Sequence, residues 1–261
     1  MIKNIKLYVA TIITISLILF SWKLFYSLSC FSFLFPIVIL GIVSSSFIDT
    51  KMNKRRCFKN CYFQNNSIFS KILISSMGVV VFYSIFSIAF TLSIMYGVIS
   101  FPYQLWLYLL IHIALVILIY KKIIKSLGGT VQDEYLNIFS REWAINITSI
   151  ILFVIYAYIF YNGYEPEYLV KDLVQTINNA SNSISSSCLL IDYLLRFKTE
   201  LDGTFWWIVS NSSETLKSEV LKTAIWVIFI FINSLAILGI NRIIVQIVYL
   251  LDKTFSRKGI E

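Results

Sequence analysis

Apolar residues in this chain fall into six long runs that alternate with polar segments. A run of about 18 or more apolar residues is long enough to cross a bilayer as a helix. Five of the six runs contain no Asp, Glu, Lys or Arg, and the first contains only Lys23, near its end. The pattern therefore predicts six transmembrane helices, at residues 7–28, 31–48, 72–99, 103–120, 144–161 and 223–240.

The runs predict helices rather than the strands of a membrane barrel. Backbone N–H and C=O groups in lipid must be hydrogen-bonded within the protein, which leaves helices and closed barrels. Barrel strands would alternate polar and apolar residues, and these runs do not. Charged residues are 14% of the chain, whereas a soluble domain has about a quarter. We expect an all-α integral membrane protein with a single polytopic domain.

The distribution of charge predicts which way the helices cross the membrane. The N-terminus, the segments 49–71 and 121–143 and the tail from residue 241 hold sixteen Lys and Arg and six Asp and Glu, a net charge of +10. The remaining segments hold six and eight, a net charge of −2, and the total is the +8 of the whole chain. Short loops rich in Lys and Arg stay in the cytoplasm. We expect both termini inside, in the inner or plasma membrane of the cell.

The basic run KMNKRRCFK at residues 51–59 is part of this asymmetry. We interpret it as an orientation signal that rests on anionic lipid, because clusters of cations beside a span are attracted to that surface. The charge pattern therefore favours the lipid bilayer as partner and argues against direct nucleic-acid binding. The membrane-surface residues are Lys51, Lys54, Arg55, Arg56 and Lys59.

A polar segment at residues 162–222 separates the fifth predicted span from the sixth, and the charge pattern places it outside. Within it, EPEYLVKDLVQTIN (165–178) has apolar residues at helical spacing and Pro166 at a position favoured for the first helical residue. CLLIDYLLRF (188–197) repeats this spacing, and ASNSISSSC (180–188) is the polar connector. The segment predicts a small amphipathic helical cap on the outer side.

The end of the same segment predicts the start of another helix. Asn211 is suited to an N-cap, and Glu214 follows three residues later, close to a capping box. We expect this helix to run without a break into the last span, so that movement of the cap would reach that span. The alternative is a cap that lies on the membrane as a connector without a role of its own.

The four cysteines divide between the two sides. Cys30 and Cys188 both fall on the outer side, so they are candidates for a disulfide if that side is oxidising. Cys57 and Cys61 lie on the inner side, where thiols stay reduced. Their spacing, with His112 as the single histidine of the chain, does not predict a metal site.

Motifs of catalysis are missing from the sequence. It contains no Gly-x-Ser-x-Gly elbow, no Gly-x-Gly-x-x-Gly turn and no phosphate loop. In the middle of the predicted spans His112 is the one ionisable group, and a lone His on an apolar helix is more often a packing residue than a base. We expect a protein that is not an enzyme and that uses no cofactor.

Two milder polar patterns lie within the spans. Ser84, Ser87 and Thr91 fall on one face of the third span, where packing is the first interpretation and pore lining the second. The last span carries a second seam, formed by Asn233, Ser234 and Asn241. Because Asn in hydrocarbon costs free energy without a partner, this seam predicts either a neighbouring helix or a water-filled path.

These features favour a homo-oligomeric membrane protein that is either pore- or channel-like or a sensor or effector of an accessory system such as phage defence. The residue usage, rich in Ile, Phe, Tyr, Asn and Lys and poor in Gly, Ala, Arg and Pro, matches AT-rich codons. Accessory membrane genes are often of that kind, which is an association rather than a mechanism.

Two alternatives belong to other classes. Six spans, both termini inside and short outer helices before the last span resemble the topology of ABC-2 type permeases, which implies a subunit of an ATP-driven exporter. The amphipathic helix that precedes the first span of those permeases is missing here, since the first span starts near residue 7. The second alternative is an immunity or scaffold protein that binds a partner within the membrane.

Overall fold

The computed structural model describes residues 2–62, 76–161, 165–215 and 218–257, and these residues are mostly helical with no strand among them. A short 3-10 helix, Cys30–Phe33, lies between the first two α-helices. In chain order the α-helices are α1 (Ile2–Phe25), α2 (Leu34–Tyr62), α3 (Ser76–Ser100), α4 (Tyr103–Leu127), α5 (Asp133–Tyr161), α6 (Leu173–Asn182), α7 (Leu189–Thr215) and α8 (Glu219–Arg257).

Six of these helices are long and apolar enough to cross a membrane, namely α1 to α5 and α8. The predicted count of six spans and the all-helical class are therefore confirmed. The side of the membrane on which the termini lie stays a prediction. We call the end of the bundle that holds Cys30 and Tyr96 the cap end, and the end that holds Asp49 and Arg141 the basic end.

Most of the helices extend beyond the apolar runs that predicted them, although α1 ends at Phe25 rather than at residue 28. The predicted start of the third span, residues 72–75, lies outside the described residues. The fifth span was predicted from residue 144 and the last as far as residue 240, whereas α5 begins at Asp133 and α8 ends at Arg257. The basic run at 51–59 was assigned to a loop, but it continues α2. The reason is that a helix does not end where its side chains become charged, since Lys, Arg and Glu are good helix formers.

Helix α8 is the central element of the bundle, because it contacts each of the other five spanning helices and also α7. It packs closely against α3, and glycine allows the approach. A Cβ atom on Gly97 would lie 2.7 Å from the Cβ of Ala236, and one on Gly239 would lie 2.6 Å from Cδ1 of Ile94. A methyl group at Gly97 would clash with Ala236, and one at Gly239 would displace the buried side chain of Ile94, so these small residues permit the close approach of the two helices.

Between α5 and α8 the cap differs from its prediction at its first helix. Residues 165–172 are not helical, so the interpretation of Pro166 as a first helical residue is wrong. The helix begins at Leu173 instead, and the carboxylate of Asp172 caps it by accepting a hydrogen bond from the N–H of Gln175 at 2.7 Å. Because Asp is a strong N-cap residue, it determines the start.

The second half of the cap is one long helix. The predicted short helix at 188–197 continues through TFWWIV as α7 to Thr215. The predicted cap at Asn211 is wrong, because Asn211 lies inside α7 and donates to the carbonyl of Trp207 at 3.0 Å. A separate helix, α8, starts at Glu219. The buried apolar stripe of α7 continues through Trp206 and Val209, which pack with Phe229 of α8, and this packing outweighed the local capping signal.

Candidate functional site

The buried face of α7 brings an acidic residue to the junction of cap and bundle. Asp202 is 5% exposed and lies in a stripe of buried positions separated by three or four residues, the spacing of one helix face. The other members of the stripe are Ile191, Leu195, Thr199, Trp206 and Val209. A buried carboxylate needs hydrogen-bond donors, so its surroundings define a polar centre.

Two phenols and one amine surround this carboxylate, and we call the four residues the Asp202 centre. The hydroxyls of Tyr96 and Tyr168 each donate to Oδ2 of Asp202 at 2.7 Å. The Nζ of Lys198 lies 4.0 Å from Oδ1 and 4.8 Å from the centroid of the Tyr96 ring. Burial lowers the pKa of the Lys198 amine, and the attraction of Asp202 acts in the opposite direction.

Two cavities adjoin the Asp202 centre. A small cavity of about 30 Å³ is lined by Lys198, Asp202 and Asn233 together with apolar residues, and such a volume holds about two waters. An open cleft of about 350 Å³ is lined by Tyr96 and Tyr168 together with the exposed acids Glu165 and Glu167. The centre is thus reached from a cleft with an acidic rim.

The connector between α6 and α7 fastens the cap to the bundle. It comprises residues 183–188, because α6 extends through Asn182 and shortens the predicted connector. The structure joins Cys30 to Cys188 in a disulfide, with 4.7 Å between the Cα atoms. Next to it the hydroxyl of Ser186 donates to the carbonyl of Tyr26 at 2.6 Å, and the N–H and hydroxyl of Ser187 both donate to the carbonyl of Ser27.

Asn241 forms a second polar centre in the interior of the bundle. Its Oδ1 lies 3.0 Å from Nε2 of His112 on α4. The two N–H groups of its amide have three acceptors within reach on α5, namely Oγ of Ser149 at 2.7 Å, Oγ1 of Thr148 at 2.9 Å and the carbonyl oxygen of Ile145 at 3.1 Å. One side chain therefore joins α4, α5 and α8, and we call this the Asn241 centre.

A third polar centre lies at the basic end around Arg141, which is 2% exposed. Its guanidinium donates to Asp49 on α2 at 2.5 Å and to Oε1 of Gln246 on α8 at 3.0 Å. It also lies 4.3 Å from the ring centroid of Tyr249. Three helices meet at this side chain, because Arg has donors enough for several partners in one plane.

The predicted seams are separated by the fold. Asn241 is fully buried among helices, whereas Asn233 is half-buried beside the small cavity and donates to the carbonyl of Phe229 on its own helix at 3.2 Å. Ser234 is buried and donates to the carbonyl of Phe231 at 2.6 Å. Asn241 therefore fits the interpretation that the seam faces a neighbouring helix, whereas Asn233 lies beside a small cavity.

The hydroxyl residues of the third span differ in their burial. Ser87 and Thr91 are buried and donate to the carbonyls of Tyr83 and Ser87 respectively, at 2.6 and 2.8 Å. Ser84 is half-buried. Each bond stays within α3, as is usual for Ser and Thr in helices.

The membrane-surface cations lie on the last turns of α2. Lys54 pairs with Glu142 of α5 and so ties these helices together. Lys54, Arg55 and Arg56 are exposed, and Lys51 and Lys59 are half-buried. Cys57 lies on the same turns and is not part of a disulfide, and the side chain of Cys61 lies outside the described residues.

Asp202 and Arg141 were missed by the sequence analysis, although a signal for each was present. Both interrupt a stripe of buried residues at helical spacing, and a single charge in such a stripe predicts a buried polar centre. The predicted boundaries hid them, since the cap helix was ended at 197 and the fifth span was begun at 144. Among the described residues no cluster of His, Cys, Asp and Glu has the geometry of a metal site.

Comparison with known protein families, with curated proteins and with solved structures gave no match to this chain.

Proposed function

We propose that this chain is a non-enzymatic multi-pass membrane protein that senses a ligand or partner at its cap end. Binding shifts the cap, and α8 transmits this conformational change to the basic end, so that the chain acts as a sensor or effector component. In this proposal the cap end faces the outside of the cell and both termini lie in the cytoplasm. The charge difference between the two ends supports that orientation.

One observation carries the proposal: α8 reaches all three polar centres. Asn233 lines the small cavity next to Asp202, Asn241 joins α4 and α5 to α8, and Gln246 accepts from Arg141 at the basic end. A helix packed against every other span moves as a unit, because close-packed interiors transmit strain. A shift of the cap against α8 therefore alters the contacts of Arg141.

The acidic cleft supports recognition of a ligand or partner at the cap. Glu165 and Glu167 at its rim are exposed, and the walls lead to the hydroxyls of Tyr96 and Tyr168. A cleft of a few hundred Å³ with convergent polar groups is typical of a binding site. The acidic rim favours a ligand that carries positive charge.

A pore through one copy is less favoured than a sensor. The amide of Asn241, the most buried polar group of the last span, is engaged by His112, Thr148 and Ser149 and so faces helices rather than water. A channel-like function would accordingly need a path between copies of a homo-oligomer. The residue usage of AT-rich codons supports an accessory system such as phage defence, and the neighbouring genes test that context.

The second candidate is a permease subunit of an exporter. It is favoured by the two helices, α6 and α7, that directly precede the last span. An exporter subunit requires an ATPase partner at the basic end. Co-purification with an ATPase encoded beside this chain would support that candidate over the sensor, whereas purification as a homo-oligomer would support the sensor.

The proposal is tested in lipid nanodiscs by amide hydrogen exchange along α7 and α8. Reduction of the Cys30–Cys188 disulfide removes one attachment of the cap. If α8 transmits the change, exchange increases both in α7 and in the part of α8 that follows Asn241. Exchange that increases in α7 alone would contradict transmission.

The control is the double variant Cys30→Ser, Cys188→Ser, which reductant leaves unchanged. Ion flux through proteoliposomes that contain the untreated chain is measured in parallel. Sustained flux from the untreated chain would favour the channel-like alternative over the sensor.

A further inference from the structure

Arg242 and Lys51, at the basic end, have no acidic partner among the described residues. Arg141 pairs with Asp49, and Lys54 pairs with Glu142. Neither Arg242 nor Lys51 takes part in an ion pair of the described part of the chain. The adjoining segment 63–75 contains no Asp or Glu in its sequence.

These two cations lie on a pair of stacked rings. The rings of Phe47 and Tyr83 are 5.8 Å apart with an interplanar angle of 19°. The guanidinium carbon of Arg242 lies 3.7 Å from the centroid of Phe47, and Nζ of Lys51 lies 5.7 Å from that of Tyr83. The rings hold each cation by a cation–π contact and leave their N–H groups for other acceptors.

Three helices contribute to this arrangement, so tertiary packing fixes its geometry, and we call it the cation pocket. Lys51 and Phe47 belong to α2, Tyr83 to α3 and Arg242 to α8. The hydroxyl of Ser46 on α2 lies 3.5 Å from Nη1 of Arg242 and is buried. A hydroxyl donor beside two cations suits a tetrahedral anion.

The charge of the pocket needs an anion. Arg242 and Lys51 both lie close enough to Lys54 to repel its charge. Arg242 itself follows the apolar part of α8, where a cation without a counter-charge is costly. An anion bound between α2 and α8 would remove the repulsion.

We propose that Arg242 and Lys51 bind the phosphate of an anionic phospholipid, whose headgroup enters between α2, α3 and α8 at the basic end. Arg presents a planar fork to phosphate oxygens and Lys a point charge. Basic pockets between spanning helices are suited to such headgroups. The function proposed above is not needed for this site.

A lipid fits better than a free phosphate because an apolar track adjoins the pocket. Phe86 contacts the ring of Phe47 at 5.5 Å and is 41% exposed, and its neighbour Ile85 is 64% exposed. They follow Tyr83 along α3 toward the interior of the membrane. An acyl chain on this face lies beside the headgroup that Arg242 and Lys51 hold.

The test measures binding of phosphatidylglycerol to the detergent-purified chain by native mass spectrometry, with phosphatidylcholine as the neutral lipid. Arg242→Gln is expected to weaken phosphatidylglycerol binding about fivefold, the effect of one cation near a lipid surface. Lys51→Gln is expected to weaken it similarly. Phosphatidylcholine, whose choline cation offsets the charge of its phosphate, should lose less binding than phosphatidylglycerol in both variants.

Arg56→Gln is the matched control, because Arg56 is an exposed cation of the same helix α2. It should change binding less than twofold. An equal loss in Arg56→Gln would overturn the site in favour of diffuse attraction. Arg242→Lys keeps the charge but loses the planar fork, so it should weaken binding less than Arg242→Gln does. A loss in Arg242→Lys as large as that in Arg242→Gln would also overturn the proposal.

Inorganic phosphate distinguishes the two sources of the anion. If the acyl chains contribute, millimolar phosphate leaves the bound phosphatidylglycerol in place. Displacement of the lipid by phosphate at that concentration would overturn the assignment to a lipid. Size-exclusion profiles identical to that of the unaltered chain confirm that each variant has folded.

Discussion

The hydroxyl of Tyr96 on α3 donates a hydrogen bond to the carboxylate of Asp202 on α7 at 2.7 Å, and both side chains are buried. This bond crosses from the bundle to the cap. A charged acceptor makes it stronger than a bond between neutral groups. This bond therefore ties the cap to the bundle in addition to the Cys30–Cys188 disulfide.

Tyr96→Phe should destabilise the chain by about 1.5–3 kcal/mol, since it removes a hydrogen bond to a charged group and leaves Asp202 with fewer donors. Unfolding in lipid nanodiscs followed by tryptophan fluorescence measures the effect. Tyr103→Phe is the control, because Tyr103 is 80% exposed at the same end of the bundle. Equal stability of the two variants would show that the Asp202 centre does not hold the cap.

Asn241→Leu should cost more stability than Asn233→Leu. Asn241 bonds to side chains of α4 and α5, whereas Asn233 bonds within its own helix. Each interhelical bond in a membrane contributes about 0.6–2 kcal/mol, so the loss for Asn241 is a multiple of that. The measurement is unfolding of both variants under the same conditions, and a larger loss for Asn233→Leu would contradict the assignment of packing to Asn241.

Arg141 and Asp49 should show a coupling of about 1 kcal/mol in a double-mutant cycle with Arg141→Gln and Asp49→Asn. The Asp49 side chain is 46% exposed, so solvent screens the pair and the coupling stays near the value for a surface bridge. Arg141→Gln alone should cost more, because it also removes the bond to Gln246. Additive effects of the two substitutions would contradict a direct pair.

Thiol labelling tests the orientation of the chain in the membrane. A membrane-impermeant maleimide should label Cys57 in inverted vesicles and leave it unlabelled in intact cells, because the basic end is expected inside. Cys188 should react with the reagent from outside only after the disulfide has been reduced, because its sulfur is bonded to that of Cys30. Labelling of Cys57 in intact cells would show that the orientation is the opposite of the predicted one. Labelling of Cys188 without reductant would show that the disulfide does not form in the cell.

The number of spanning helices could be predicted because lipid imposes a length and a composition on each one. The ends of the helices could not be predicted in this way, because capping and helix propensity determine them and apolar content does not. Asp172 is the N-cap of α6. The apolar pattern had instead indicated Pro166 as the first helical residue. Local signals of similar strength compete at such ends, and the packing of the cap decides between them.

The seam residues of the last span were recognised from the free-energy cost of burying Asn in lipid. Their hydrogen-bond partners could not be recognised from the sequence. Thr148 and Ser149 are ordinary polar residues in the sequence, and their role depends on how α5 rotates against α8. The Asp202 centre combines residues from α3, α7 and the chain before α6. A contact among such distant segments follows from tertiary packing and has no local signature.

The central claim, that the cap end and the basic end are coupled through α8, is tested most directly by ¹⁹F NMR. A trifluoromethyl label is attached to Leu250→Cys, at a 45% exposed position of α8 beyond Arg141's partners, in a chain with Cys57→Ser and Cys61→Ser. Asp202→Asn removes the charge of the Asp202 centre, and Glu219→Gln makes the same change at an exposed side chain. The account predicts a shifted or second resonance for Asp202→Asn and an unaltered spectrum for Glu219→Gln. Identical spectra for both variants and the parent would contradict it.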